Sequence, residues 1–382
     1  MKRLSILTAI ILAAAALMAS FQNCYACTGI TLKAKDGSTV VARTIEWAAS
    51  DNDCRWVVVP RGHTWKSFIP GGGTGRSFTN EYGYVGVAVV QDELMMEGMN
   101  EKGLSAGLFY FPDYGKYEEY SEANHETNIS DFQLVSYILG RCATVDEVKA
   151  EIARVHIHGF DPRSSTVHWR FAEPSGRQIV LEIIDGKCVF YENTLGVLTN
   201  SPSFDWQLTN LNNYVNLLPG RTEPHTLGNM SLSSFGGGSA MLGLPGDFTP
   251  PSRFVRAAFF QNTAPQKPNA EESVFTAFHI LGSMEIPIGA QFAQGQEPAD
   301  IPSATQCTCV TDMSGLRFYY RSMYDGGIRC IDLKEINFKK VGLRSEPLIP
   351  ARKEYVHYIN TSVKIYRTKK LNNGSRVTGS AI

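Results

Sequence analysis

Cys24-Tyr25-Ala26-Cys27-Thr28-Gly29-Ile30-Thr31-Leu32 is the stretch on which the reading of this chain turns. Upstream of it, Lys2 and Arg3 precede an uncharged, mostly apolar run from Leu4 to Ala19. Cys24 and Ala26 then supply small residues at the -3 and -1 positions of an export-signal cleavage site. Cleavage after Ala26 would make Cys27 the first residue of the mature protein. A terminal cysteine carries a thiol and a free α-amine on one residue, and an amine with a reference pKa near ~7.7–8.0 can accept the thiol proton at neutral pH. Export and activation would then be one event. A cysteine after an export signal is also where bacteria attach diacylglycerol, but no leucine stands three residues before Cys27. The two fates exclude each other, because lipidation consumes the thiol. The apolar run is short for a membrane span, which needs about 20 residues, so no stable membrane anchor is expected.

Removing residues 1–26 from 382 leaves a chain long enough for one large core. Of 36 basic residues, 34 remain against 37 acidic ones, a net charge of -3. That balance argues against nucleic acid or an anionic membrane as main partner. Hydrophobic residues at 43% and charged residues at 19% fit a globular protein with an ordinary core. Besides Cys27, the mature chain holds Cys54, Cys142, Cys188, Cys307, Cys309 and Cys330, which in an oxidising compartment could form up to three disulfides. Cys307-Thr308-Cys309 and the pair His156 and His158 are weak metal signals, since neither has a second pair nearby.

No internal repeat or low-complexity linker divides the chain, so residues 27–370 read as one domain with a polar tail, 371–382. Thr28–Ala34 and Thr39–Glu46 flank Asp36-Gly37 as a hairpin, and strands follow at Arg55–Val59, Gly83–Gln91 and Leu104–Phe111. A helical stretch from Ser130 to Val155, interrupted near Ala143-Thr144, leads into a meander of Val167–Glu173, Gln178–Ile184 and Cys188–Glu192. Helices are expected at Phe204–Leu217, Ser252–Gln261 and Glu271–Met284, then strands at Thr305–Asp312, Leu316–Arg321 and Ile328–Leu333. Strands, then helices, then strands again give an α+β fold, with antiparallel sheets faced by helices.

The hairpin returns Ala42-Arg43-Thr44-Ile45-Glu46-Trp47 beside Cys27. An arginine near a thiol favours the thiolate, and a carboxylate can orient an α-ammonium. A strict two-residue turn puts Glu46 opposite Cys27 and Arg43 on the other face, so both serve the site only if the hairpin bends or bulges. Their plain alternative is a surface ion pair. Asn200, in Leu198-Thr199-Asn200-Ser201-Pro202, is either a turn former or an amide donor to an oxyanion. Arg253 follows a Pro-rich loop into the first turn of a helix, where the helix dipole disfavours a cation. That hints at another duty, the alternative being a solvated arginine.

Taken together, these residues resemble the choloylglycine hydrolase family, which includes bile salt hydrolases and penicillin V acylases. The resemblance rests on Cys-Thr-Gly-Ile-Thr-Leu at 27–32, Lys-Asp-Gly at 35–37, and Ala-Arg-Thr-Ile-Glu-Trp at 42–47. It continues through Asn-Glu-Lys-Gly-Leu at 100–104, Leu-Thr-Asn-Ser-Pro-Ser-Phe-Asp-Trp-Gln-Leu-Thr-Asn-Leu at 198–211, and Gly-Leu-Pro-Gly-Asp with Ser-Arg-Phe-Val-Arg at 243–256. These stretches run in family order over nearly the whole mature chain. The resemblance implies an N-terminal nucleophile hydrolase with a four-layer αββα sandwich, a thiol-dependent amidase on linear amides, which the export signal would place outside the cytoplasm, periplasmic or secreted.

Residue by residue, it implies Cys27 as nucleophile with its own amine as base. Arg43 matches the arginine beside the thiol, Arg253 the second arginine, and Asn200 the oxyanion asparagine, aided by the backbone N–H of Tyr110. Glu46 stands where aspartate is commoner. No metal or organic cofactor is implied. The partners implied are a small-molecule amide substrate and further copies of the chain, as a dimer or tetramer. Tyr110 falls where penicillin V acylases have tyrosine and many bile salt hydrolases asparagine. A bulky ring there would narrow an acyl pocket, which ranks penicillin V ahead of conjugated bile salts, with N-acyl homoserine lactones third. The rival from another class is an anchored binding protein lipidated at Cys27.

Overall fold

The computed structural model describes residues 25–70, 73–159 and 165–351, with 353, 354 and 356. The expected leader up to Cys24 and the polar tail 371–382 lie outside the described residues. Thirteen strands build the two main sheets: β1 (Tyr25–Lys33), β2 (Thr39–Trp47), β3 (Arg55–Val59), β4 (Tyr84–Ala88), β5 (Met95–Asn100), β6 (Ser105–Tyr110), β7 (Val167–Ala172), β8 (Gln178–Ile184), β9 (Lys187–Glu192), β10 (Thr305–Asp312), β11 (Arg317–Ser322), β12 (Asp325–Asp332) and β13 (Arg344–Pro347). One sheet has the order β1-β2-β10-β11-β12 and the other β9-β8-β7-β6-β5-β4-β3-β13. Every pairing within them is antiparallel.

Among the described residues five α-helices complete the layers: α1 (Leu134–Leu139), α2 (Val145–Ile152), α3 (Phe204–Asn210), α4 (Pro250–Thr263) and α5 (Ala270–Gly282). Phe254, Ala257, Val274, Ala277 and Leu281 of α4 and α5 pack on Ile30, Val40, Ala42 and Val310 of the first sheet. Leu134, Ile138, Val148 and Ile152 of α1 and α2 pack on Ala106, Leu108, Trp169 and Leu181 of the second. Between the sheets lie Val41, Ile45, Val85, Val87, Cys307, Cys309 and Phe318. Each sheet therefore buries both faces, and the result is the expected four-layer αββα sandwich.

The structure refines several expected elements. β1 begins at Tyr25, because residues 25 and 26 continue the ladder opposite Trp47 and Glu46. The interrupted helical stretch expected over 130–155 is two helices, as its break near Ala143-Thr144 implied, and its first residues, 131–133, form a 3-10 turn. Its interruption falls where Thr144 caps α2 by accepting from Glu147 N–H. The helix expected over Phe204–Leu217 ends at Asn210 and continues as a 3-10 turn, Leu211–Tyr214. The Met95–Asn100 strand and the paired strands Thr64–Ile69 and Gly73–Thr79 were not foreseen. All seven cysteines from Cys27 onward are free thiols rather than disulfides. Cys188 and Cys330 are exposed, while Cys27, Cys142, Cys307 and Cys309 are buried. No helix among the described residues is long and apolar enough to cross a membrane.

Candidate active site

The hairpin turn sets the site. Ala34 N–H donates to Ser38 O at 2.8 Å and Gly37 N–H to Ala34 O at 3.1 Å. The loop is therefore three residues, Lys35-Asp36-Gly37, and Gly37 takes the left-handed conformation (φ 88°) that such a loop needs at its end. One residue more than the expected two-residue turn shifts the register by one. Cys27 pairs with Ile45 and Gly29 with Arg43, while Glu46 pairs with Ala26. The expected placement is thus reversed: Arg43 shares the inter-sheet face with Cys27, and Glu46 crosses to the other face. No bulge in β1 or β2 is required.

Arg43 Nη2 lies 2.6 Å from Cys27 Sγ. The rest of the guanidinium is fixed by Nε donating to Thr44 O at 3.1 Å and Nη1 donating to the carbonyls of Met96, at 3.0 Å, and Leu108. Its plane rests 4.0 Å above the Phe109 ring. Glu97 Oε2 is 4.0 Å from Arg43, while Glu97 Oε1 accepts from Arg170 Nη2 at 2.7 Å and from Ser105 Oγ at 3.2 Å. This carboxylate fits because residue 107 is glycine, where a Cβ would meet Glu97 Oε2 at 2.0 Å.

A second group closes on the backbone of Cys27. Gly29 and Leu198 form a β-bridge, with N–H···O distances of 2.7 and 3.2 Å, which docks the segment after β9 on the free edge of β1. Two residues on, Asn200 arrives opposite Cys27, and Asn200 Oδ1 accepts from Cys27 N–H at 2.9 Å. Arg253 Nη2 donates to the same Oδ1 at 2.7 Å, and its Nη1 to Cys27 O at 2.5 Å and Thr28 Oγ1 at 2.9 Å. Asn200 Nδ2 donates to Tyr110 O at 2.7 Å, so the Asn200 amide and the Tyr110 backbone adjoin. Glu46 Oε1 accepts from Thr305 Oγ1 at 3.3 Å, and Oε2 has no hydrogen-bond partner among the described residues.

Arg43, Glu46, Glu97, Arg170 and Arg253 are each no more than 2% exposed. Three guanidiniums against two carboxylates leave one positive charge, which a Cys27 thiolate would offset. With residues 25 and 26 attached, burial holds the Cys27 thiol above its ordinary value, against the opposing pull of Arg43. Burial pushes Glu46 up to about 7, opposed by Arg253. Burial also lowers Arg253 to about 10 despite Glu46 and Cys27 nearby. For Arg43 burial is outweighed by Cys27, Glu97 and Glu46, and the guanidinium is held above its usual range.

The structure thus gathers Cys27, Arg43, Glu46, Asn200, Arg253 and the Tyr110 backbone. The Tyr110 side chain goes elsewhere. Its ring is partly buried against the helix-side cluster with Leu108 and Val167, and its hydroxyl interacts with Ser165. Glu97 and Arg170 were missed from sequence. Their signal was a charged residue inside a mostly apolar strand, which alternation alone assigns to solvent. Among the described residues no group of three or more His, Cys, Asp or Glu side chains could hold a metal.

A family profile described as linear amide C-N hydrolases, choloylglycine hydrolase family, matches residues 27–346. A bile salt hydrolase/transferase of Clostridium perfringens is 32% identical over 318 residues, covering 81% of this chain and 93% of that protein. A penicillin V acylase of Pectobacterium atrosepticum is 28% identical over 332 residues, covering 79% of each chain. Among solved structures, an alanine-for-cysteine variant of the conjugated bile acid hydrolase from Clostridium perfringens superposes with a TM-score of 0.75 at 29% identity, over 87% of this chain and all of that one.

Proposed function

Because the chain belongs to the choloylglycine hydrolase family of linear amide C–N hydrolases, we propose that its site cleaves conjugated bile salts with Cys27 as N-terminal nucleophile. The observation that carries this reading is the enclosure of one cysteine from two sides, its thiol by Arg43 and its backbone N–H and C=O by Asn200 and Arg253. Removal of the leader after Ala26, on export to the periplasm or medium, frees the α-amine, and the family match beginning at Cys27 supports that terminus. The amine takes the thiol proton, and the sulfur attacks the amide carbonyl. Asn200 Nδ2 and the Tyr110 N–H hold the oxyanion, worth about 3 kcal/mol per donor in other hydrolases. The amine returns the proton to the leaving nitrogen, and water then cleaves the thioester. Glu46, on the helix-facing side beside Arg253, orients the ammonium.

Conjugated bile salts take first place over penicillin V, reversing the order expected from Tyr110. The argument for a narrowed pocket needed its ring beside Cys27, and the ring instead packs on the helix-side cluster. The similarity to bile salt hydrolases at 32% identity, against 28% for the penicillin V acylase, points the same way. Penicillin V is the second reading, on the strength of that acylase relative. The exposed apolar side chains of Val215, Leu242 and Phe235 support a homo-oligomer that covers them.

Purified exported protein tests this with glycocholate, taurocholate, penicillin V and an N-acyl homoserine lactone, following released amine with ninhydrin. Glycocholate should lead penicillin V in kcat/KM by about tenfold, the size of a pocket-shape effect. Penicillin V as the better substrate would restore the other order. Absence of amine release from all four, with an intact mass showing a lipid on Cys27, would replace the enzyme by an anchored binding protein.

A further inference from the structure

His168 and Glu182 sit on adjacent strands β7 and β8, and both are fully buried. His168 Nδ1 lies 3.1 Å from Glu182 Oε1, and His168 Nε2 lies 3.2 Å from Thr199 O. The ring is stacked on Phe111, 4.5 Å between centroids and 9° from parallel, so it cannot swing to other partners. A carbonyl oxygen only accepts, so Nε2 carries a hydrogen and donates it to Thr199. A contact between Nδ1 and a carboxylate oxygen needs a second proton between them. The ring and the carboxyl are therefore joined through one shared proton, and they face acceptors on both sides of the imidazole.

The same Glu182 Oε1 accepts from Phe204 N–H at 2.9 Å. Thr199 O and Phe204 N–H are the two ends of the turn Thr199-Asn200-Ser201-Pro202-Ser203-Phe204, which carries Asn200. One buried pair thus grips both ends of that turn. Thr199 Oγ1 also donates to Pro250 O at 3.1 Å at one end, and the middle is held by Ser201 Oγ to Pro112 O at 2.5 Å and Gln207 Nε2 to Asn200 O at 3.3 Å. Among the described residues only the His168–Glu182 pair spans it from end to end.

We propose that His168 and Glu182 are positioning residues for the reaction, a proton-linked clamp that holds the 199–204 turn so that Asn200 faces Cys27 with its amide correctly rotated. This rests on the oxyanion role given to Asn200 above. A turn that loosens at Thr199 lets the Asn200 side chain rotate out of line with both Cys27 N–H and the developing oxyanion. Substrate binding through the acyl group is untouched, so the loss falls on kcat and not on KM. Glu182→Gln keeps the shape but removes the shared proton. A neutral imidazole then has one N–H for two acceptors, and one of the two grips is lost.

The test is a double-mutant cycle on the processed enzyme with glycocholate. Asn200→Ala should lower kcat by about 100-fold. His168→Gln and Glu182→Gln should each lower kcat by about tenfold or more while KM moves less than about threefold. In the Asn200→Ala background the same two changes should cost less than about threefold, because their route runs through Asn200. Losses that multiply in full would make the pair merely structural and overturn the clamp, as would wild-type kcat in either single variant. If His168→Gln does not fold, Glu182→Gln carries the cycle. Nitrogen-15 spectra of histidine-labelled wild type give a reading that needs no variant: a His168 ring without a proton on Nε2 would overturn the clamp. An Asn200→Ala enzyme with wild-type kcat would overturn the oxyanion assignment itself, a result distinct from every outcome at His168.

Discussion

Two regions of this molecule invert the usual partition of side chains. Between and beside the sheets, five charged groups around Cys27 are shut away from water. Along residues 211–249, large apolar groups stand in it, with Val215 and Leu242 each 85% exposed. The first region pays for its charges with a dense network, in which Arg43 alone meets three carbonyls, a thiol and an aromatic face. The second is ordered by short pieces, the three-residue strands His225–Leu227 and Met230–Leu232 and the 3-10 turns Leu211–Tyr214 and Ser239–Met241. Buried charge without bonds to the backbone would be ruinous, so the site has to be rigid. Exposed apolar surface costs the fold little and gains only when another surface covers it. Rigidity therefore belongs to the buried charged cluster, and exposure to the segment 211–249.

The sharpest break of this contrast is at Cys27. Cys27→Ala should lower turnover on the order of 10,000-fold or more while the protein folds normally, as measured by amine release and thermal melting. A tenth of wild-type turnover in that variant would place the nucleophile elsewhere. Next in size is Arg43→Met, which takes a donor from the backbone carbonyls of Thr44, Met96 and Leu108 and a positive charge from beside Glu97. Urea denaturation should show a loss of about 3–5 kcal/mol, with turnover falling alongside.

A pH titration sharpens the same point at Glu46. Its carboxyl, held at about 7 by burial against an ordinary 4.5, binds its proton more tightly folded than unfolded. Its contribution to stability is therefore full below pH 4.5 and is lost as pH rises through about 7, by roughly 3 kcal/mol. In a chain that keeps residues 25 and 26, Glu46→Gln should flatten that part of the stability profile. An unchanged slope between pH 4.5 and 7 would mean the carboxyl is solvated. The smallest effect belongs to the exposed region. Phe235→Ser with Leu242→Ser should move monomer stability by no more than about 0.5 kcal/mol. Sedimentation should show smaller particles if these side chains cover an interface, and an unchanged mass would free them of that role.

Much of this was legible in the sequence, for local reasons. The hairpin at Asp36-Gly37, the break near Ala143-Thr144 and the strand meander around Ser175-Gly176 and Asp185-Gly186 follow from turn chemistry and period-2 patterning. The burial of Glu97, His168, Arg170 and Glu182 was not legible. Each occupies a strand position where alternation points to water, and a four-layer fold buries that face as well. The Tyr110 ring was misjudged for a related reason. A motif match gives the backbone position, whereas the strand's pleat gives the direction of the side chain, and here it turns the ring toward the helices.

The sequence by itself pointed to Cys27, the residue types around it, most of the strands and the α+β class, because these depend on motifs and on neighbours a few residues apart. Only the tertiary structure decided which side chains meet. One added residue in the Lys35-Asp36-Gly37 loop brought Arg43 to the thiol and sent Glu46 to the opposite face. A single β-bridge, Gly29 to Leu198, carried Asn200 across 173 residues of chain to the Cys27 amide. The reason is physical: a one-residue change of register inverts every side chain on a strand, and a contact between distant segments is fixed only by the packing of both sheets around it.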